Sequence, residues 1–219
     1  ELGALLGRLH AELDRLTPPV QQSLLAPATR VHDAVALADR LLPELRDRGD
    51  AAARAGERLG ERRELLIRLA DHQPPAAETA TAGYVHGAFQ ARNLLYGQFT
   101  GGVVAVLDWE GLHVAPFAGE LVRAATLLFA YGDERGFDLE RAEAFVGGHA
   151  SAFRLDAAQL QSAVHRLWWE RLCDLRIPEL SDPDRDDPEL PRLALVDWWT
   201  ANLDRTLEAF AAPYTPVVG

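Results

Sequence analysis

Residues 83–110 interrupt a helical pattern that otherwise runs the length of the chain, and this interruption constrains the fold more than any other feature. Tyr84-Val85-His86 is a short apolar stretch bounded by Gly83 and Gly87. Leu94-Leu95-Tyr96 is similar, and Val103 to Leu107 is a continuous run rich in β-branched residues. Gly97 and the pair Gly101-Gly102 supply turns between the last two. Together they read as a small hairpin system with a loop ahead of it, and no other part of the chain gives a convincing strand signal.

On either side, apolar residues recur at helical spacing. Leu2, Leu5, Leu6, Leu9, Leu13 and Leu16 form a stripe that Thr17-Pro18-Pro19 stops. A second amphipathic stretch spans about Val31 to Arg48, with Gly49 as its stop, and a third spans roughly Ala51 to Asp71. His72 to Thr81 reads as a loop. Beyond the hairpin, Leu121, Ala124, Leu127, Leu128 and Tyr131 suit a buried helix. Asp156 is a candidate N-cap for a helix to about Leu175, where the breadth of the apolar face implies burial on more than one side. Ser181 to Pro188 is polar and Pro-broken, hence a loop, and the acidic run Asp182 to Glu189 carries a lesser reading as a lid. A last helix is expected near Leu193 to Phe210. The expected class is mainly α with a small β-hairpin region (α+β), in a single domain over 1–219, helical over 1–82 and again over 111–219.

Composition narrows the function classes. The formal charge of −11 argues against nucleic acid, which demands a basic face. It suits either a cationic substrate or simple solubility. No apolar run approaches a membrane span, and no leader pattern is visible. All 22 basic residues counted as Lys or Arg are Arg, so chemistry that needs a lysine has no residue here. Cys173 is the single cysteine, which excludes an internal disulfide, fits a reducing cytoplasm and reads as a buried helix residue. The tryptophan pairs Trp168-Trp169 and Trp198-Trp199 read as core rather than as a substrate cage. The histidines outside the hairpin region (His10, His32, His72, His113, His149 and His165) share no metal-ligand spacing, and His149 reads as a helix-boundary residue.

The chemistry concentrates in His86-Gly87-Ala88-Phe89-Gln90-Ala91-Arg92-Asn93, followed 15 residues after Asn93 by Asp108-Trp109-Glu110 at the end of a strand. A strand, a tight loop ending in Asn, a hairpin and a strand ending in Asp would bring an amide oxygen and a carboxylate together. That pair is a reasonable half-site for magnesium, which takes one or two carboxylates beside phosphate and water oxygens.

This segment resembles the catalytic loop H-G-D-x-x-x-x-N and the D-W-E type metal motif of the aminoglycoside phosphotransferase and choline kinase-like small-molecule kinases. Leu5-Leu6-Gly7-Arg8-Leu9-His10-Ala11 is similar to that family's first helix after the interlobe hinge. The resemblance implies a protein-kinase-like C-terminal lobe that uses ATP and Mg²⁺ to phosphorylate a hydroxyl of a small molecule. It implies Asn93 and Asp108 on the metal, His86 structuring the loop, and Glu110 in metal or substrate positioning. Glu120 would brace the loop. Residues 83–110 become the catalytic loop and metal-motif hairpin, and 111–219 the acceptor-binding part, where Glu170, Arg171 and Asp174 are candidates to face the acceptor.

Two departures accompany the match. Ala88 stands where the family has its catalytic Asp, and it can neither orient the acceptor hydroxyl nor take its proton. General-base catalysis is worth about 10²–10⁴-fold, so transfer should be nearly silent. An engineered change, a natural pseudokinase, or rescue by a carboxylate such as Glu110 each accommodates Ala88. Second, the segment before Leu2 leaves no room for an N-terminal β lobe, so the expectation is a lobe lacking its partner. The alternative reading is a pseudokinase that acts as a nucleotide, metabolite or protein-binding module.

Overall fold

The computed structural model describes residues 1–16, 22–45, 50–131, 135–176 and 193–215. The stops expected at Thr17-Pro18-Pro19 and Gly49, and the polar loop at Ser181 to Pro188, lie outside the described residues. In chain order the helices are α1 (Leu2–Asp14), α2 (Val31–Leu45), α3 (Asp50–Arg68), α4 (Phe117–Phe129), α5 (Leu139–Ala150), α6 (Ala157–Cys173), α7 (Leu193–Ala201) and α8 (Leu203–Ala211). The strands are β1 (Gln22–Leu24), β2 (Thr79–Val85), β3 (Leu94–Tyr96), β4 (Val103–Val106) and β5 (His113–Pro116). The mainly helical class with a small β region is borne out.

The β3–β4 hairpin forms where expected, with Leu94 opposite Val106 and a register shift between Leu95 and Tyr96. Asp156 caps α6, its carboxylate accepting from the amides of Ala158 and Gln159 at 2.7 and 3.4 Å. The structure adds a second sheet, antiparallel in the order β1-β2-β5. The stretches read as helical over 1–82 and 111–219 therefore also hold β1 with most of β2, and β5, respectively. The loop expected to run to Thr81 ends where β2 begins at Thr79. Both new strands are short edges paired only with β2, too brief for an alternation to register in sequence.

The last helix is two helices. Asn202 leaves helical geometry (φ −122°, ψ 23°), and its side-chain amide donates to the Trp198 carbonyl at 2.8 Å. An Asn that offers the backbone a local partner competes with the helix ladder. Trp168, Trp169 and Trp199 are fully buried in one core with Phe89 and Phe210. Cys173 is buried too, and burial pushes its thiol up to about 12.

One helix crossing decides where the site's supports fall. α1 lies against α5 at backbone distance, and its buried face includes Gly3, Gly7 and His10. A Cβ at Gly3 would sit 1.8 Å from the Phe145 carbonyl oxygen, and one at Gly7 2.7 Å from that of His149. Only glycine permits this approach, and it brings His10 beside His149.

Candidate functional site

β2 delivers the chain into the loop at His86, which is buried. Its Nε2 donates to the Leu107 carbonyl at 3.0 Å, and its Nδ1 accepts the Ala88 amide at 3.2 Å. Those two bonds require the neutral tautomer with hydrogen on Nε2, and they pin the loop to the end of β4. The Trp109 ring packs across His86 at 4.6 Å between centroids. Gly87 follows with φ +79°, where a Cβ would meet the Gly111 carbonyl oxygen at 2.3 Å. Loop and metal-motif turn touch at this point, and the Arg123 guanidinium donates to the Gly87 carbonyl.

Asn93 closes the loop. Its Nδ2 donates to the Ala88 carbonyl at 2.8 Å and to Asp108 Oδ2 at 3.1 Å. Both partners are acceptors, which orients the amide. Asp108 adopts left-handed geometry (φ 66°, ψ 63°), alone among the described non-glycine residues. Such a conformation costs about 1–3 kcal/mol and clusters at functional sites. No described donor engages Asn93 Oδ1 or Asp108 Oδ1, so the pair offers an amide and a carboxylate oxygen, the donor chemistry of a hard cation. No group of three His, Cys, Asp or Glu side chains that could enclose a metal occurs among the described residues.

Glu110 sits in the 3-10 turn Trp109–Gly111, exposed, next to the Gly87–Gly111 contact. Ala88 is half-buried between His86 and the Asn93 amide. Glu120, in the first turn of α4, is 7 % exposed and accepts the Gly87 amide at 2.5 Å on Oε1 and the His86 amide at 3.1 Å on Oε2. Burial alone would raise its pKa. The His10 hydrogen bond, with the two loop amides, outweighs burial and holds it below the ordinary value.

Of the acceptor-facing candidates, Glu170 lines a cavity together with Arg123, which reaches the loop. The Glu170 carboxylate accepts from the Thr29 amide and hydroxyl at 2.8 and 2.6 Å, tying α6 to the approach to α2. Asp174 pairs with Arg176 at 2.6 Å, and Arg171 is buried. Sequence reasoning missed Arg123, His149 and Tyr214, and it took His10 only as part of a helix. A cavity of about 470 Å³ is lined in part by Gly119 and Arg123, the latter reaching the loop. Another of about 1020 Å³ lies between α3 and α7 and touches none of the loop residues. The β3–β4 hairpin exposes Leu95, Tyr96, Phe99 and Val104, and Leu107 and Trp109 on either side of Asp108 in sequence are exposed too.

A helical lobe with a braced loop, a hairpin and a joined Asn–Asp pair is the architecture of a kinase-like phosphotransferase. The profile of the phosphotransferase enzyme family matches residues 1–155, and the chain belongs to that family. None of the curated proteins compared matches the chain. No described helix is long and apolar enough to cross a membrane.

Proposed function

We propose that the site is that of an ATP-dependent small-molecule kinase, retaining its metal side and lacking its base, so that it holds magnesium nucleotide while transfer is silenced. The observation that carries this reading is the Asn93–Asp108 contact on a left-handed Asp108, with Ala88 at the base position. Asn93 Oδ1 and Asp108 would hold Mg²⁺, with Glu110 close enough to the loop contact to assist. Magnesium held there would supply charge neutralisation to the nucleotide phosphates.

The chain's own residues supply positioning. Glu120 fixes two loop amides, His86 fixes the loop to β4, and Asn93 holds the Ala88 carbonyl. An Asp at position 88 would stand where the acceptor hydroxyl must be oriented and deprotonated. Ala88 leaves that proton without a recipient, which favours the binding-module form of the reading. The acceptor class is a small hydroxyl-bearing molecule, and the compartment is the cytoplasm. The exposed apolar residues of the hairpin that leads to Asp108 fit a covering lobe over the nucleotide.

Calorimetry of the full-length gene product with MgATP tests the metal side: binding that weakens at least tenfold on Asp108→Ala supports it, and unchanged binding overturns it. Ala88→Asp tests the base. ATP consumption with hydroxylated metabolites should rise by about 10²-fold or more. No gain would sink the idea that the site lies one residue from activity.

A further inference from the structure

Behind the loop lies a buried polar chain that the family match does not account for. His10 (0 % exposed), His149 (0 %), Glu120 (7 %) and Tyr214 (3 %) come from α1, α5, α4 and the 3-10 turn Ala212–Tyr214. Tyr214 Oη meets His149 Nδ1, His149 Nε2 lies 2.9 Å from His10 Nδ1, and His10 Nε2 lies 2.8 Å from Glu120 Oε2. Glu120 then accepts the amides of His86 and Gly87. We propose that His149 and Tyr214 are positioning residues for the loop, acting through His10 and Glu120, so that the C-terminal turn sets where the His86 and Gly87 amides stand. The proposal rests on the reading of this loop as the phosphotransfer loop.

Hydrogen-bond bookkeeping orders the protons. An ionised Glu120 only accepts, so His10 presents Nε2–H to it. If His10 Nδ1 accepts, His149 donates from Nε2 and accepts from the Tyr214 hydroxyl at Nδ1. Every proton then has an acceptor. In the reverse order His149 Nδ1 donates to Tyr214, whose own hydrogen finds no acceptor among the described residues. The first order is the satisfied one, and it runs from Tyr214 inward to the loop.

Packing alone does not explain these residues. Phe117 and Phe153 surround the imidazoles, with ring centroids 4.9 and 5.8 Å from His10 and Phe153 also 5.8 Å from His149. In such surroundings apolar rings would fill the space at no polar cost, whereas a broken polar chain is heavily penalised. The inner end of the chain is the pair of loop amides. Its outer end is clamped, since Arg154 donates to the carbonyls of Pro213 and Tyr214, both at 3.2 Å. Active-site groups need placement within about 0.5 Å, a tolerance that a fully satisfied chain of short bonds can transmit.

The test is nuclear magnetic resonance on the chain as it exists. Imidazole ¹⁵N shifts should show His10 and His149 both protonated at Nε2 and bare at Nδ1. Tyr214→Phe removes one oxygen and no packing volume. It should leave the fold intact by circular dichroism while shifting the amide resonances of His86 and Gly87, far from the substitution. His149→Phe should shift the same amides, and His149→Gln, which keeps a donor and an acceptor, should restore them in part. Unmoved loop amides in folded Tyr214→Phe would overturn the proposal, as would a tautomer bare at Nε2 of His10. The functional reading fails separately: a wild-type chain that binds no magnesium nucleotide sinks it, while loop amides that move on Tyr214→Phe uphold the positioning role.

Discussion

Asn93 and Asp108 meet through one hydrogen bond of 3.1 Å, and the partner that accepts is the single described non-glycine residue in left-handed geometry. The fold thus holds a strained carboxylate against an amide whose nitrogen is already committed to the loop. Strain of this kind persists where the surroundings overdetermine it.

Relieving that strain should not harm the fold. Asp108→Gly is expected to leave stability unchanged or raise it by up to about 1 kcal/mol, because glycine adopts positive φ freely. Thermal unfolding without ligand checks this, and a clear loss of stability would show that the carboxylate is structural.

The brace should behave differently. In Glu120→Gln the new amide nitrogen must face either the Gly87 amide or the donors of His86 and His10, setting donor against donor. The expected loss is about 3 kcal/mol in urea unfolding, the scale of hydrogen bonds to a charged group. A loss below about 0.5 kcal/mol would mean the carboxylate is not held as described.

The helix crossing yields a paired prediction. Gly3→Ala drives a methyl into the Phe145 carbonyl and should destabilise by about 1–3 kcal/mol. Gly60→Ala in α3 meets nothing within 4 Å and should stabilise by up to about 1 kcal/mol through helix propensity. Equal effects at the two sites would refute the close approach of α1 to α5.

Acid should unfold the chain in two overlapping ranges. Burial pushes His149 down to about 3 from the ordinary 6.5. Between those values the unfolded chain binds the extra proton, so the contribution is fully present above about 6.5 and lost as pH falls toward 3, at up to about 1.4 kcal/mol per unit. Glu120 adds to this at lower pH. Its folded pKa is depressed, so its contribution is present above the ordinary carboxylate value and lost as pH falls through the folded one. His165, also held low by burial, titrates in the same direction. Stability measured from pH 7 to 4 in wild type and His149→Phe isolates the first term: the variant should show the flatter slope, and parallel slopes would argue against a neutral buried His149.

Much of this was legible because it is local. The β3–β4 hairpin, the Asp156 cap and the tryptophan core follow from turns, caps and periodicity within a few residues. The Asn93–Asp108 contact follows from a hairpin that joins them. What escaped is nonlocal or unpunctuated. β1 and β5 exist because β2 has two free edges, and α7 ends at an Asn with no Gly or Pro to mark it. His10 and His149 looked unrelated because nothing near either residue announces a partner 139 positions away. Gly3 and Gly7 fall between the residues of the leucine stripe and carry no local signal, yet they are what lets the two helices meet.

That same glycine-lined crossing sets the order in which the molecule can be built. α1 precedes α5 in the chain, and its seat on α5 does not exist until His149 has been synthesised, 139 residues after His10. At about 5–20 residues per second, α1 waits on the order of ten to thirty seconds for α5 with its apolar face uncovered. The loop brace, which needs α1, α4 and α5 together, is therefore among the last parts of the lobe to assemble. A chaperone that shields an amphipathic helix awaiting its partner would engage α1 for longer than it would a helix whose seat lies nearby in sequence.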